Sequence, residues 1–95
     1  MNSYETLYIV KPDMEEEARA ALIQRFSDLV ASNGGEVENV DEWGARKLAY
    51  PIDYITEGYY VLMNYKAKSD FPAELDRLMR INENVMRSMT LVKEA

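Results

Sequence analysis

The sequence predicts an α+β domain with the element order β-α-β-β-α-β. Three observations lead there. Residues 4–10 and 58–66 are rich in tyrosine, valine, isoleucine and leucine, and both stretches are apolar on both alternating sides. Two other stretches repeat apolar residues at helical spacing. One ends in Asn33-Gly34-Gly35 and the other opens near Pro72. Finally, 95 residues and 11.0 kDa leave room for one core, so residues 1–95 are read as a single domain.

The first strand runs from Tyr4 to Val10 and stops at Lys11-Pro12. Its two faces, Tyr4/Thr6/Tyr8/Val10 and Leu7/Ile9, both carry apolar groups, as a central strand covered on both sides does. A helix follows. Asp13 and Glu16 have capping-box spacing, and Glu15, Glu16 and Glu17 crowd the first turn, where the helix dipole favours anions. Ala18, Leu22, Phe26, Leu29 and Val30 form its apolar stripe, and Glu15 and Arg19 make an i,i+4 pair. Glu36 to Ile52 is strand-like. Val37 and Val40 are out of phase, which predicts a bulge, and Gly44 predicts a turn or kink within Trp43–Arg46. Pro51 cannot donate to a ladder, so this stretch is an edge or the end of a strand. Asp53 to Glu57 are expected to form a loop. Gly58 to Lys66 is the strongest strand, with Tyr59/Val61/Met63/Tyr65 on one face and Tyr60/Leu62/Asn64 on the other. A second helix starts near Ser69-Asp70-Phe71-Pro72, capped by Ser69 or Asp70. Leu75, Leu78 and Met79 form its stripe, with Ile81 a further candidate, and Arg77 and Arg80 lie on the other side. Asn82-Glu83-Asn84 is a turn and Val85 to Val92 a last strand.

This order is the split βαβ, or ferredoxin-like, arrangement. Right-handed crossovers place both helices on one face of a four-stranded antiparallel sheet, with the first and third strands central. If Tyr8 and Val61 point to the helices, then Leu7, Ile9, Tyr60 and Leu62 face the uncovered side. Large apolar residues on an uncovered face predict a protein partner.

The composition narrows the chemistry. There is no cysteine and no histidine, which excludes disulfide scaffolds, thiolate or imidazole metal sites and the common nucleophile–base pairs. Gly34-Gly35 follows a helix rather than opening one, so it is not a phosphate loop. No enzyme activity, metal or cofactor is expected. Nor is a membrane span or a small-molecule substrate, and the cytoplasm is the expected location. The net charge is −6 but uneven. Residues 1–42 hold ten acids and three bases, whereas residues 43–95 hold seven acids and eight bases. The bases of the second half stand among aromatics, with Arg46 and Lys47 between Trp43 and Tyr50. They are either ordinary surface charge or phosphate contacts.

The segment Trp43-Gly44-Ala45-Arg46-Lys47-Leu48-Ala49-Tyr50-Pro51-Ile52 resembles the signature of the ribosomal protein six family of the bacterial small subunit. Tyr4-Glu5, Ile9-Val10-x-Pro12, Gly34-Gly35, Gly58 to Asn64, Glu74-Leu75, Arg80-Ile81-Asn82 and Val85-Met86-Arg87 agree in order, so the resemblance spans Tyr4 to Val92. It implies a structural, non-enzymatic component of the ribosome. Such a component binds the central domain of 16S ribosomal RNA together with the eighteenth protein of the small subunit. By motif position, Arg46, Lys47, Arg80 and Arg87 are the implied RNA contacts, and Tyr4 matches as well, though it also fits a core position. Asn2-Ser3 replaces the basic pair that many members carry there, which implies a weaker contact at that end. The chain stops at Ala95, short of the tail of some members.

Two other functions fit the element order. An RNA recognition motif would use Leu7-Tyr8-Ile9-Val10 and Gly58 to Tyr65 as its base-stacking strands. Against it, Glu57 replaces a base and Tyr60 a small residue. A ferredoxin-like sensing or oligomerising domain would bind no RNA at all.

Overall fold

The computed structural model describes residues 1–52 and 55–93. Its elements are β1 (Asn2–Val10), α1 (Glu16–Ser32), β2 (Glu36–Ile52), β3 (Ile55–Ala67), α2 (Phe71–Ile81) and β4 (Val85–Lys93). The sheet order is β2-β3-β1-β4 and every pairing is antiparallel. The two strands that read as apolar on both sides are indeed central. Both helices cover one face. From them Leu22, Ile23, Phe26, Val30, Phe71, Leu75 and Met79 pack on Tyr4, Tyr8, Val10, Val61, Met63 and Tyr65. Tyr8 and Val61 point inward as expected, and Tyr4 belongs to the core, its ring 5.8 Å from that of Tyr65.

A polar thread crosses this core. The buried Thr6 hydroxyl lies 3.0 Å from the Tyr65 hydroxyl and 2.9 Å from that of Thr90, which ties β3, β1 and β4 together beneath the helices. The Tyr8 hydroxyl is equally buried but has no hydrogen-bond partner.

Several expectations are corrected. α1 does not begin in an Asp13–Glu16 capping box. Glu15 is its N-cap, in extended conformation and without a side-chain cap bond, because the chain spends residues 11–15 crossing from the sheet to the helix layer. The first turn therefore lies in solvent, Ala18 is exposed, and Ile23 takes the place expected of it. Arg19 does not pair with Glu15. Its guanidinium stands 4.0 Å over the Tyr59 ring, a cation–π contact that Glu15 in the exposed first turn does not displace. In α2, Asp70 is the N-cap residue but makes no cap bond, Pro72 sits in the first turn as expected, and Ile81 is exposed at the frayed end.

The largest differences lie in β2. The bulge expected near Val37 is present between Val37 and Asn39, so Val37 and Val40 both face the helices. Gly44 makes no turn. Its φ of +86° builds a second bulge between Glu42 and Gly44, and the strand runs on through it. Consequently β2 and β3 form one long hairpin. Ile55–Glu57, expected in a loop, belong to β3, and positions 53–54 of that loop lie outside the described residues, as does Ala95. β2 is an edge strand, as Pro51 requires.

Candidate protein and nucleic-acid interface

The sheet register divides the basic residues between two faces. Arg46 pairs with Gly58 in the row that continues to Tyr60, so it stands on the face without helices. Lys47, opposite Glu57, alternates to the helix side. Arg87 pairs with Ile9 on the open face, at the far edge from Arg46. Arg80 projects from the last turn of α2 and is held 2.9 Å from Asp76, which also accepts the Ser88 hydroxyl at 2.9 Å. The four bases thus do not form one patch. They share one end of the sheet, where β1 finishes at Val10, β4 begins at Val85 and α2 stops. Lys11 joins that end, its amide donating to the Asn84 carbonyl at 3.0 Å.

The acids nearest Arg46 and Lys47 are engaged elsewhere. Asp41 Oδ2 accepts the Trp43 indole N–H at 3.1 Å, and Glu42 accepts the Tyr59 hydroxyl at 2.9 Å. Burial first, and then the bond to Glu42, push the Tyr59 hydroxyl above its ordinary pKa. Among the described residues neither Arg46 nor Lys47 has an ion-pair partner. Both are exposed, as is Arg87. Elsewhere Arg77 bonds Glu74 and holds that carboxyl below its ordinary pKa.

On the open face the expected residues stand in adjoining rows. Leu7 is flanked by Leu62 and Met89, and Ile9 by Tyr60 and Arg87. They are not equally accessible. Ile9 is already buried, lying over Gly58, where an added Cβ would collide with its Cγ2 and touch Leu48. Leu7, Tyr60 and Leu62 are half-exposed. Met89 and Leu91 of β4, 52% and 56% exposed, extend the apolar surface to the sheet edge. Sequence reasoning missed both, although their alternation with Ser88 and Thr90 was a usable signal.

It also missed the environment of Trp43. The bulge at Gly44 turns the indole onto the open face, nearly parallel to the Tyr60 ring, 8° between planes and 6.3 Å between centroids. Arg46 covers the indole from 5.6 Å. The same face carries the carboxylates of Glu5, Glu36 and Asp41 together with Arg46, Lys66, Arg87 and Lys93, so its charge is mixed. No cluster of acidic groups able to hold a metal ion occurs among the described residues, and no described helix is long and apolar enough to cross a membrane.

Comparison with known proteins agrees with this architecture. Residues 3–92 match the family model described as Ribosomal protein S6. The chain is 52% identical to the small ribosomal subunit protein bS6 of Clostridium novyi over 94 residues, 99% of each chain. It is 53% identical to that of Thermoanaerobacter pseudethanolicus over 91 residues, 96% of each. The crystal structure of 30S ribosomal protein S6 from Thermotoga maritima superposes with a TM-score of 0.90 at 27% identity, covering 97% of this chain and 87% of that one. The ferredoxin-like sheet, the hairpin with its Arg46-Lys47 pair and the matched length have one explanation: the chain belongs to the ribosomal protein S6 family.

Proposed function

We propose that this chain is a non-enzymatic structural component of the small ribosomal subunit in the cytoplasm. It binds the central domain of 16S ribosomal RNA as one half of a pair with the eighteenth small-subunit protein. The observation that carries the reading is the full-length match to S6 proteins, combined with a fold that gathers the four bases at one end of the sheet, beside the apolar middle of its open face. Arg46, Lys47, Arg80 and Arg87 come from three elements to one end of the sheet, where they meet phosphates. Phosphate contacts position a protein without reading sequence. Leu7, Ile9, Tyr60 and Leu62 lie on the open face and meet the protein partner. Ile9 contributes by supporting the surface, because it is already buried in the free chain.

A net charge of −6 gives poor long-range attraction to RNA, so a basic partner has to supply it. Gel shifts with central-domain RNA test this. The chain alone should bind weakly, and addition of the eighteenth protein should tighten binding strongly at the same salt. Equal affinity with and without the partner overturns the reading.

A further inference from the structure

Asp41, Trp43, Tyr60 and Arg46 form a ladder across β2 and β3 on the open face. We propose that Trp43, oriented by Asp41, is the main anchor for the protein partner of this face. The partner segment seated there is cationic, with an arginine or lysine reaching Asp41 beside an apolar contact on the indole. The inference rests on the protein-facing role given to the sheet above.

Three observations carry it. First, Trp43 is 39% exposed although it is held by Asp41, Tyr60 and Arg46. A large aromatic already fixed in place retains apolar area to bury on binding and loses little freedom in doing so. Ile9 has almost no area left to lose. Tryptophan, tyrosine and arginine are also the side chains that most often dominate binding energy at interfaces. Second, only Oδ2 of Asp41 takes the indole N–H, and among the described residues no base pairs with this carboxylate. It is therefore free to receive a cation. Third, Asp41 and Glu5 stand in adjoining rows in the middle of this face, whose bases lie toward its two ends, Arg46 and Arg87 at one and Lys66 and Lys93 at the other. The attraction for a cation is therefore local to the Asp41 carboxylate beside the indole.

The test measures the dissociation constant for the eighteenth small-subunit protein by titration calorimetry, without RNA and at several salt concentrations. The chains compared are the natural sequence, Trp43→Ala, Trp43→Phe and Asp41→Asn, with thermal melts reporting folding. Trp43→Ala should weaken binding at least tenfold and Trp43→Phe by less. Asp41→Asn keeps an oxygen to accept the indole N–H but removes the charge, so it should weaken binding about threefold or more and flatten the salt dependence. If Trp43→Ala fails to fold, the other two variants decide. Folded variants that bind within twofold of the natural sequence overturn the proposal. It is equally overturned if they pair normally but lose RNA affinity, which would make the ladder a nucleic-acid site. If the natural sequence itself does not bind the eighteenth protein, the function proposed above falls and the anchor with it.

Discussion

Replacing Tyr8 and Tyr65 by phenylalanine, one at a time, should move stability in opposite directions. Both rings are fully buried on the helix side of the sheet. Their hydroxyls differ. The Tyr8 hydroxyl has no partner, and leaving a buried polar group unpaired costs about 1–3 kcal/mol. Tyr8→Phe removes that cost and leaves the ring's edge-on contact with Phe26, 5.3 Å between centroids, intact. The Tyr65 hydroxyl bonds Thr6 at 3.0 Å, so Tyr65→Phe breaks a satisfied bond, at a cost of about 0.5–1.5 kcal/mol, while Thr6 keeps Thr90. Urea midpoints should rise for the first variant and fall for the second. In a domain of this size each kcal/mol shifts Tm by about 4–8 °C. A pH series adds a second check. Burial, assisted by Glu42, raises the Tyr8 pKa above its ordinary 10.0. The folded chain therefore keeps a proton that the unfolded chain releases, and its stability declines as pH climbs past 10. Tyr8→Phe should make that decline shallower. Destabilisation by Tyr8→Phe, with an unchanged alkaline slope, would refute the argument and place a partner on the hydroxyl.

Leu75→Ala should cost about 2–5 kcal/mol, because Leu75 is fully buried between α2 and the sheet; an unchanged urea midpoint would contradict that placement. Gly58→Ala should cost about 1–3 kcal/mol through the clash with Ile9, and less in an Ile9→Ala background, so a double-mutant cycle without coupling would contradict the contact. The double change Arg46→Ala with Lys47→Ala should leave thermal stability almost unchanged, since both side chains are exposed and neither has an ion-pair partner among the described residues. The same variant should weaken assembly with RNA and reduce its salt slope by up to about two counterions; a stability loss with an unchanged slope would make the pair structural.

The sequence was most informative where burial writes a pattern. β1 and β3 were legible as central strands because a strand sandwiched between helices and a second apolar surface cannot alternate with polar residues. Gly34-Gly35 and Pro72 marked helix boundaries through backbone chemistry that no packing overrides. Legibility failed where several local solutions satisfy the same residues. Asp13, Glu15 and Glu16 could each serve a helix start, and crossover length, a tertiary matter, chose among them. Gly44 serves a turn and a bulge equally well, and pairing with β3 selected the bulge. Trp43 beside Gly44 therefore fits a corner equally well, and its stacking on Tyr60, a contact between strands, leaves no mark in either segment alone.

The two bulges of β2 have a joint effect that neither has alone, and it is one of parity. Each adds one residue to a repeat of two, so one insertion inverts which residues point up and the next restores it. Between the insertions, Asn39 to Glu42 run out of step with the ends of the strand, which is how Val40 turns inward and Asp41 outward. Beyond Gly44 the original phase returns, with Ala45 and Lys47 inward and Arg46 outward. Straightening either bulge with its extra residue kept in the ladder would exchange Arg46 and Lys47 between the two surfaces without changing a single side chain. Deleting the extra residue itself would close the bulge and leave Arg46 opposite Gly58, on the open face. The basic pair is thus addressed by the bulges, which absorb two surplus residues and keep the rest of the strand in register with β3.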